Sequence, residues 1–97
     1  MLLERTLKRL GIKEKSPSVN KVLLEVPVEM GSMADGSAIK DILWPRDCLL
    51  VAIKRGNGEI IPKGTVEIMN GDYLVALADS VFSSNVLEQL KSITLVE

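Results

Sequence analysis

Residues 34–79 read ADGSAIKDILWPRDCLLVAIKRGNGEIIPKGTVEIMNGDYLVALAD, and the pattern of this stretch decides the fold. At its centre, Cys48 to Ile53 is an unbroken apolar run, suited to a strand covered on both faces. Asn57-Gly58 follows as a two-residue hairpin signal, because both residues tolerate positive φ. The chain then returns through Ile60 and Ile61, and Pro62 and Gly64 suit positions i+1 and i+3 of a type I turn. Val66 to Met69 reads as a short strand with Val66 and Ile68 inward. Asn70-Gly71-Asp72 makes a tight turn into a last strand, Tyr73 to Ala78.

Working outward, Asp35 or Ser37 is placed to cap a helix over Ser37 to Trp44, with Ile39, Ile42 and Leu43 on one face and Pro45 ending it. Before it, Val22 to Val28 (VLLEVPV) predicts a strand. Pro27 cannot donate to a ladder, so it belongs at an edge or near the strand's end. After residue 79, Ser83 or Ser84 can cap a helix running to about Ser92, whose buried stripe is Val86, Leu87, Leu90 and Ile93. At the start, Leu2 to Leu10 predicts a short helix with Leu3, Leu7 and Leu10 on one face, and Lys13 to Asn20 a polar linker. A helix that short is marginal alone and must pack on something. The resulting division is a helical leader and linker over 1–20 and one domain over 21–97. Its order, β-α-β-β-β-α, predicts an α+β fold with a mostly antiparallel sheet.

The composition narrows the function. With 97 residues there is room for a single core. A hydrophobic fraction of 46% with only 3% aromatic residues means that this core is aliphatic. So apolar a small domain points to a homodimer, which completes its burial. Lys+Arg 12 against Asp+Glu 13 builds no basic field, and stacking aromatics are few, so nucleic-acid binding is disfavoured. There is no histidine to activate Cys48, which reads as a small buried hydrophobe, and a single cysteine forms no intrachain disulfide. Neither metal-ligand spacing nor a glycine-rich phosphate cradle before a helix is evident, so no catalytic or metal residue is assigned and an enzyme is not expected. No apolar run approaches the ~20 residues that cross a bilayer as a helix. The basic residues Arg5, Lys8, Arg9, Lys13, Lys15 and Lys21 crowd the first segment. They read as a solvated helix face or as a linker near anionic headgroups.

The words GSAIKDIL (Gly36 to Leu43), LVAIKR (Leu50 to Arg55), Gly58, IPKG (Ile61 to Gly64), GD (Gly71-Asp72) and LVAL (Leu74 to Leu77) come in an order that resembles the TrkA-C (RCK-C) family. The resemblance covers roughly Lys21 to Leu90. It implies a cytoplasmic regulatory, ligand-sensing domain at the inner face of the membrane. Such a domain belongs to an ion transport protein (potassium, cation–proton antiport or chloride-channel-like), acts as a homodimer, and is a C-terminal piece of a longer polypeptide. It also implies a cyclic dinucleotide or other small ligand at a dimer interface, with Arg46 forking onto a phosphate and Pro62 packing on a base. Leu49 stands about where nucleotide-binding members place an amide, within a pattern Arg-x-x-x-x-x-Asn that is not intact here. Arg46 also reads as an exposed charge at a helix end, and the turn alone explains Pro62. The alternative function is a purely structural dimerisation module without a ligand. In either case the two copies are expected to meet through the face bearing Ser37 to Trp44 and the neighbouring strand.

Overall fold

The computed structural model describes residues 20–96. The helix expected over Leu2 to Leu10 and the linker up to residue 19 lie outside the described residues. Four strands form one antiparallel sheet: β1 (Lys21–Pro27), β2 (Cys48–Arg55), β3 (Gly58–Ile60) and β4 (Tyr73–Asp79), in the order β1-β4-β2-β3. The helix α1 (Ser83–Thr94) follows a short 3-10 turn, Ser80–Phe82. This is the α+β architecture the sequence predicts, with Pro27 at the end of an edge strand.

Strand alternation sorts the side chains. Val22, Leu24 and Val26 of β1, Leu74, Ala76 and Ala78 of β4, and Cys48, Leu50 and Ile53 of β2 face one layer. Val86, Leu87, Leu90 and Ile93 of α1 cover that layer, together with Ala34, Ile42 and Ile68 from the loops. Burying such side chains contributes about 1.5–3 kcal/mol each, which is what holds a domain this size together. The two alanines of β4, Ala76 and Ala78, present small side chains on the face that α1 covers.

Several local expectations are corrected. Only Ile39–Asp41 winds, as a 3-10 turn, where a helix was expected over Ser37 to Trp44. The reason is non-local: Gly36 N donates to Ile68 O, Ile68 N to Ser37 O, Ile39 N to Val66 O and Lys40 N to Gly64 O. Those bonds satisfy the backbone across the chain and leave no i to i−4 ladder. They also reduce the expected strand Val66 to Met69 to a single bridge, Ala38 to Glu67. Ile42 is buried, whereas Leu43, expected on the same face, is 92% exposed. Asp35 and Ser37 cap no helix: Asp35 accepts from Gly31 N and Asn70 N, and Ser37 Oγ donates to Met33 O.

The hairpin turns one residue earlier than expected. Arg55 pairs with Gly58, so the loop is Gly56-Asn57, with Gly56 at φ +61° and no positive φ at Asn57. That is the arrangement with glycine first, which the right-handed strand twist also favours. The proline turn moves too, to Lys63–Val66, closed by Val66 N donating to Lys63 O. Strand β2 is covered on one face only, since Leu49 and Val51 are exposed on the other.

Candidate functional site

Strands β1 and β2 both run antiparallel to β4, so they start at the same end of the sheet. Arg46 stands there, in the exposed turn that follows buried Pro45 and leads into β2. The turn is anchored from behind by Trp44, whose Nε1 donates to Ile39 O at 3.0 Å. Beside it lies a shallow depression of about 320 Å³ lined by Lys21, Asp47, Cys48, Leu49, Leu77, Ala78 and Asp79. One ammonium and two carboxylates on its walls make it a mixed-charge hollow. Burial, and then the Asp47 carboxylate, push the Cys48 thiol up. It is therefore a poor nucleophile near neutral pH.

Pro62 is half-buried beyond the end of β3. The pairing of β3 with β2 ends at Ile60, and the chain turns at Pro62, where Lys63 N donates to Ile61 O at 2.9 Å. Arg46 precedes β2 at the other end of that strand from the hairpin that carries β3. Counted from Arg46, the amide of the Arg-x-x-x-x-x-Asn pattern falls on Ala52, not Leu49. Neither is an amide.

The outward face of the sheet is the largest apolar surface near this end. Leu23, Leu77 and Leu49 form one row across β1, β4 and β2. Leu23 is 64% and Leu49 62% exposed. A bulge between Leu50 and Ala52 turns Val51 outward as well. Glu25, in the row of Val75 and Ala52, meets Lys54, one row further on beside Tyr73, at 2.6 Å across β4, and Val75 is buried. The Lys54 ammonium is held above its ordinary value, first by its hydrogen bond to Glu25 and then by that residue's charge.

At the opposite end, a pair that sequence reasoning missed fastens the fold. Arg55 Nε and one terminal nitrogen donate to the two carboxylate oxygens of Asp72, both at 2.8 Å. The same terminal nitrogen donates to Glu67 O, and Met69 N donates to Asp72. Burial pushes the Asp72 carboxyl up, but the Arg55 hydrogen bonds, the Met69 N–H and the Arg55 charge outweigh it and hold it below its ordinary value. Both residues stand in the quoted words LVAIKR and GD. Only the strand register reveals that they meet.

Among the described residues, no group of three or more His, Cys, Asp or Glu is placed to hold a metal ion, and no helix is long and apolar enough to cross a membrane.

With this geometry in hand, the comparisons are decisive on class. A model of the TrkA-C domain matches residues 23–81, from β1 through β4, so the chain belongs to the TrkA-C domain family. Membership implies a regulatory domain of ion transport proteins. Among solved structures, one described as "Structure of RCK domain with cda" is similar to this chain at a TM-score of 0.61 and 20% identity. The similarity covers 75% of this chain and 97% of that one. At that identity the likeness speaks for the fold. No curated protein matches the chain.

Proposed function

We propose that this chain is the homodimeric, ligand-sensing regulatory domain of an ion transport protein of the potassium, cation–proton antiport or chloride-channel-like kind, acting at the cytoplasmic face of the membrane. The family match over residues 23–81 carries this reading. Arg46 supports the sensing part: it is an exposed guanidinium on an anchored turn, able to fork onto a phosphate. On this reading the ligand lies between two copies, with Arg46 meeting a phosphate and Pro62 a base. A cyclic dinucleotide has the phosphates and bases for both, and the RCK domain named above is described as being with cda.

The test is a thermal-shift screen of cyclic dinucleotides, mononucleotides and common anions on wild type and Arg46→Ala. A ligand that binds only the folded state at a hundred times its Kd stabilises it by about 2.7 kcal/mol, which the melting temperature reports. A shift in wild type that Arg46→Ala abolishes is the expected result. The missing amide at both Leu49 and Ala52 favours the second reading, a dimerisation module with no ligand. On that reading no compound moves the melting temperature of either protein.

A further inference from the structure

The dipeptide Asn-Gly occurs twice, at Asn57-Gly58 and Asn70-Gly71, and both asparagines are exposed. In this pair the asparagine amide is open to attack by the next backbone nitrogen, because glycine puts no side chain in the way. The fold treats the two copies differently.

Asn70 is tied down on both reacting sides. Its Nδ2 donates to the two carboxylate oxygens of Asp35 at 3.3 and 3.5 Å, and its N donates to Asp35 Oδ1 at 2.9 Å. Gly71 N, the atom that would attack, donates to Val28 O at 2.9 Å. Asp72 N closes the turn on Met69 O, and Asp72 is itself gripped by Arg55. Negative charge building on the Asn70 side chain would also meet the Asp35 carboxylate, which like charge disfavours. Asn57 stands instead at the tip of a two-residue loop, with open space around Gly56, and no described residue accepts from its amide. Gly58 N faces Arg55 across the hairpin, but that is one of only three pairs that hold β3, a strand at the edge of the sheet. Such a strand end opens at little free-energy cost.

We propose that Asn57 is a site of spontaneous deamidation in the folded protein, and that Asn70, in the same dipeptide, is protected by its bonds to Asp35 and by the bond of Gly71 N to Val28 O. Gly58 N gives up its proton to solvent and bonds to Asn57 Cγ. The Cγ–Nδ2 bond breaks, and Nδ2 takes a proton from solvent and leaves as ammonia. Water then opens the cyclic succinimide at one of its two carbonyls, leaving aspartate or isoaspartate. One water enters, one ammonia departs, and nothing is oxidised or reduced. Either product puts a carboxylate at the hairpin tip. Isoaspartate also lengthens the main chain within the two-residue loop, so the pairing of Arg55 with Gly58 is lost with it.

Peptide mass spectrometry of the full chain, held folded at mildly alkaline pH, tests this. Trypsin cuts after Arg55, Lys63 and Lys91, which puts the two asparagines in separate peptides. Acid and isoaspartate at position 57 are expected to accumulate faster than at position 70 by about tenfold or more, the factor that one or two further hydrogen bonds impose on opening. In strong urea the two rates should converge, because only the fold separates them. Asp35→Ser should speed Asn70 and leave Asn57 unchanged. Gly58→Ala, with a methyl on the attacking residue, should slow Asn57 and leave Asn70 unchanged. The urea comparison needs no variant, so it decides whether or not Asp35→Ser folds. Equal rates in the folded chain, Asn70 ahead of Asn57, or a difference that persists in urea each overturns the proposal. So does a folded chain in which neither asparagine changes.

Discussion

Arg55, the last residue of β2, closes a two-pronged ion pair on Asp72, the residue before β4, with both prongs at 2.8 Å. Asp72 is 1% exposed, and its Oδ2 also accepts from Met69 N. The pair ties the β2–β3 hairpin to the turn that launches the central strand. Arg55→Ala leaves a buried carboxylate without its cation, a loss of about 2–3 kcal/mol after allowing for the partial exposure of the guanidinium. Urea denaturation should show the midpoint falling with an unchanged slope. Arg55→Lys should recover only part of the loss, because an ammonium cannot reproduce the fork.

The same pair predicts an acid limb in the stability curve. The folded carboxyl of Asp72 is depressed below its unfolded value of about 3.9. Its contribution is therefore complete above that value and is lost as the pH falls through the lower folded value. Asp35 acts in the same direction, lowered first by the Gly31 N–H and, against the opposing effect of burial, by Asn70. Stability should drop between about pH 5 and pH 2, and less steeply in Asp72→Asn. An equal slope in that variant would show that other carboxylates govern the limb.

The hairpin offers a sharp choice between two turns. With the loop at Gly56-Asn57, Gly56→Ala places a side chain at φ +61° and costs about 1 kcal/mol, although nothing crowds the new methyl. Gly58→Ala lies in a strand at ordinary φ, with Arg55 O at 3.9 Å, and should be tolerated. A turn at Asn57-Gly58 would reverse the two results. Thermal melts resolve them, since 1 kcal/mol moves the midpoint of a domain this size by about 4–8 °C.

In the core, Leu90 is fully buried between α1 and the sheet. Leu90→Ala should cost about 2–5 kcal/mol, enough to leave much of a small domain unfolded at 37 °C. Arg46→Ala, at an exposed turn, should stay within about 0.5 kcal/mol of wild type, which is what makes it a clean probe of ligand binding.

The contrast between these sites explains what could be read from the chain alone. Cys48 to Ile53 and Tyr73 to Ala78 announce their strands as unbroken apolar runs, although only Leu74 to Ala76 are buried consecutively and Leu49 and Val51 are exposed. The α1 stripe of Val86, Leu90 and Ile93 does so at helical spacing. The segment Gly36 to Trp44 misleads because its spacing of Ile39, Ile42 and Leu43 is helical, yet its backbone is claimed by residues 64–68. Two glycines flank Asn57, so local chemistry permits either turn, and the pairing of Ile53 with Ile60 chooses between them. The Arg55–Asp72 pair spans 17 positions and exists only through the register. Pro62 stands in the word IPKG, whereas Arg46 falls between the words, and that it sits on an exposed turn backed by Trp44 needed the fold. The Glu25–Lys54 pair was equally hidden, since it exists only once β4 is placed between their strands.

One consequence of having β1 and β2 start at the same end of the sheet is mechanical. Residues 1–19 join the described chain at Asn20, whose carbonyl accepts from Ser80 N at 2.8 Å at the corner where β4 hands over to α1. Arg46 sits two strand spacings away, about 10 Å across the same rim. On the proposed reading, a ligand held at Arg46 sits on the same rim as the junction with residues 1–19, and its load would reach that junction along the rim without crossing the packed interior.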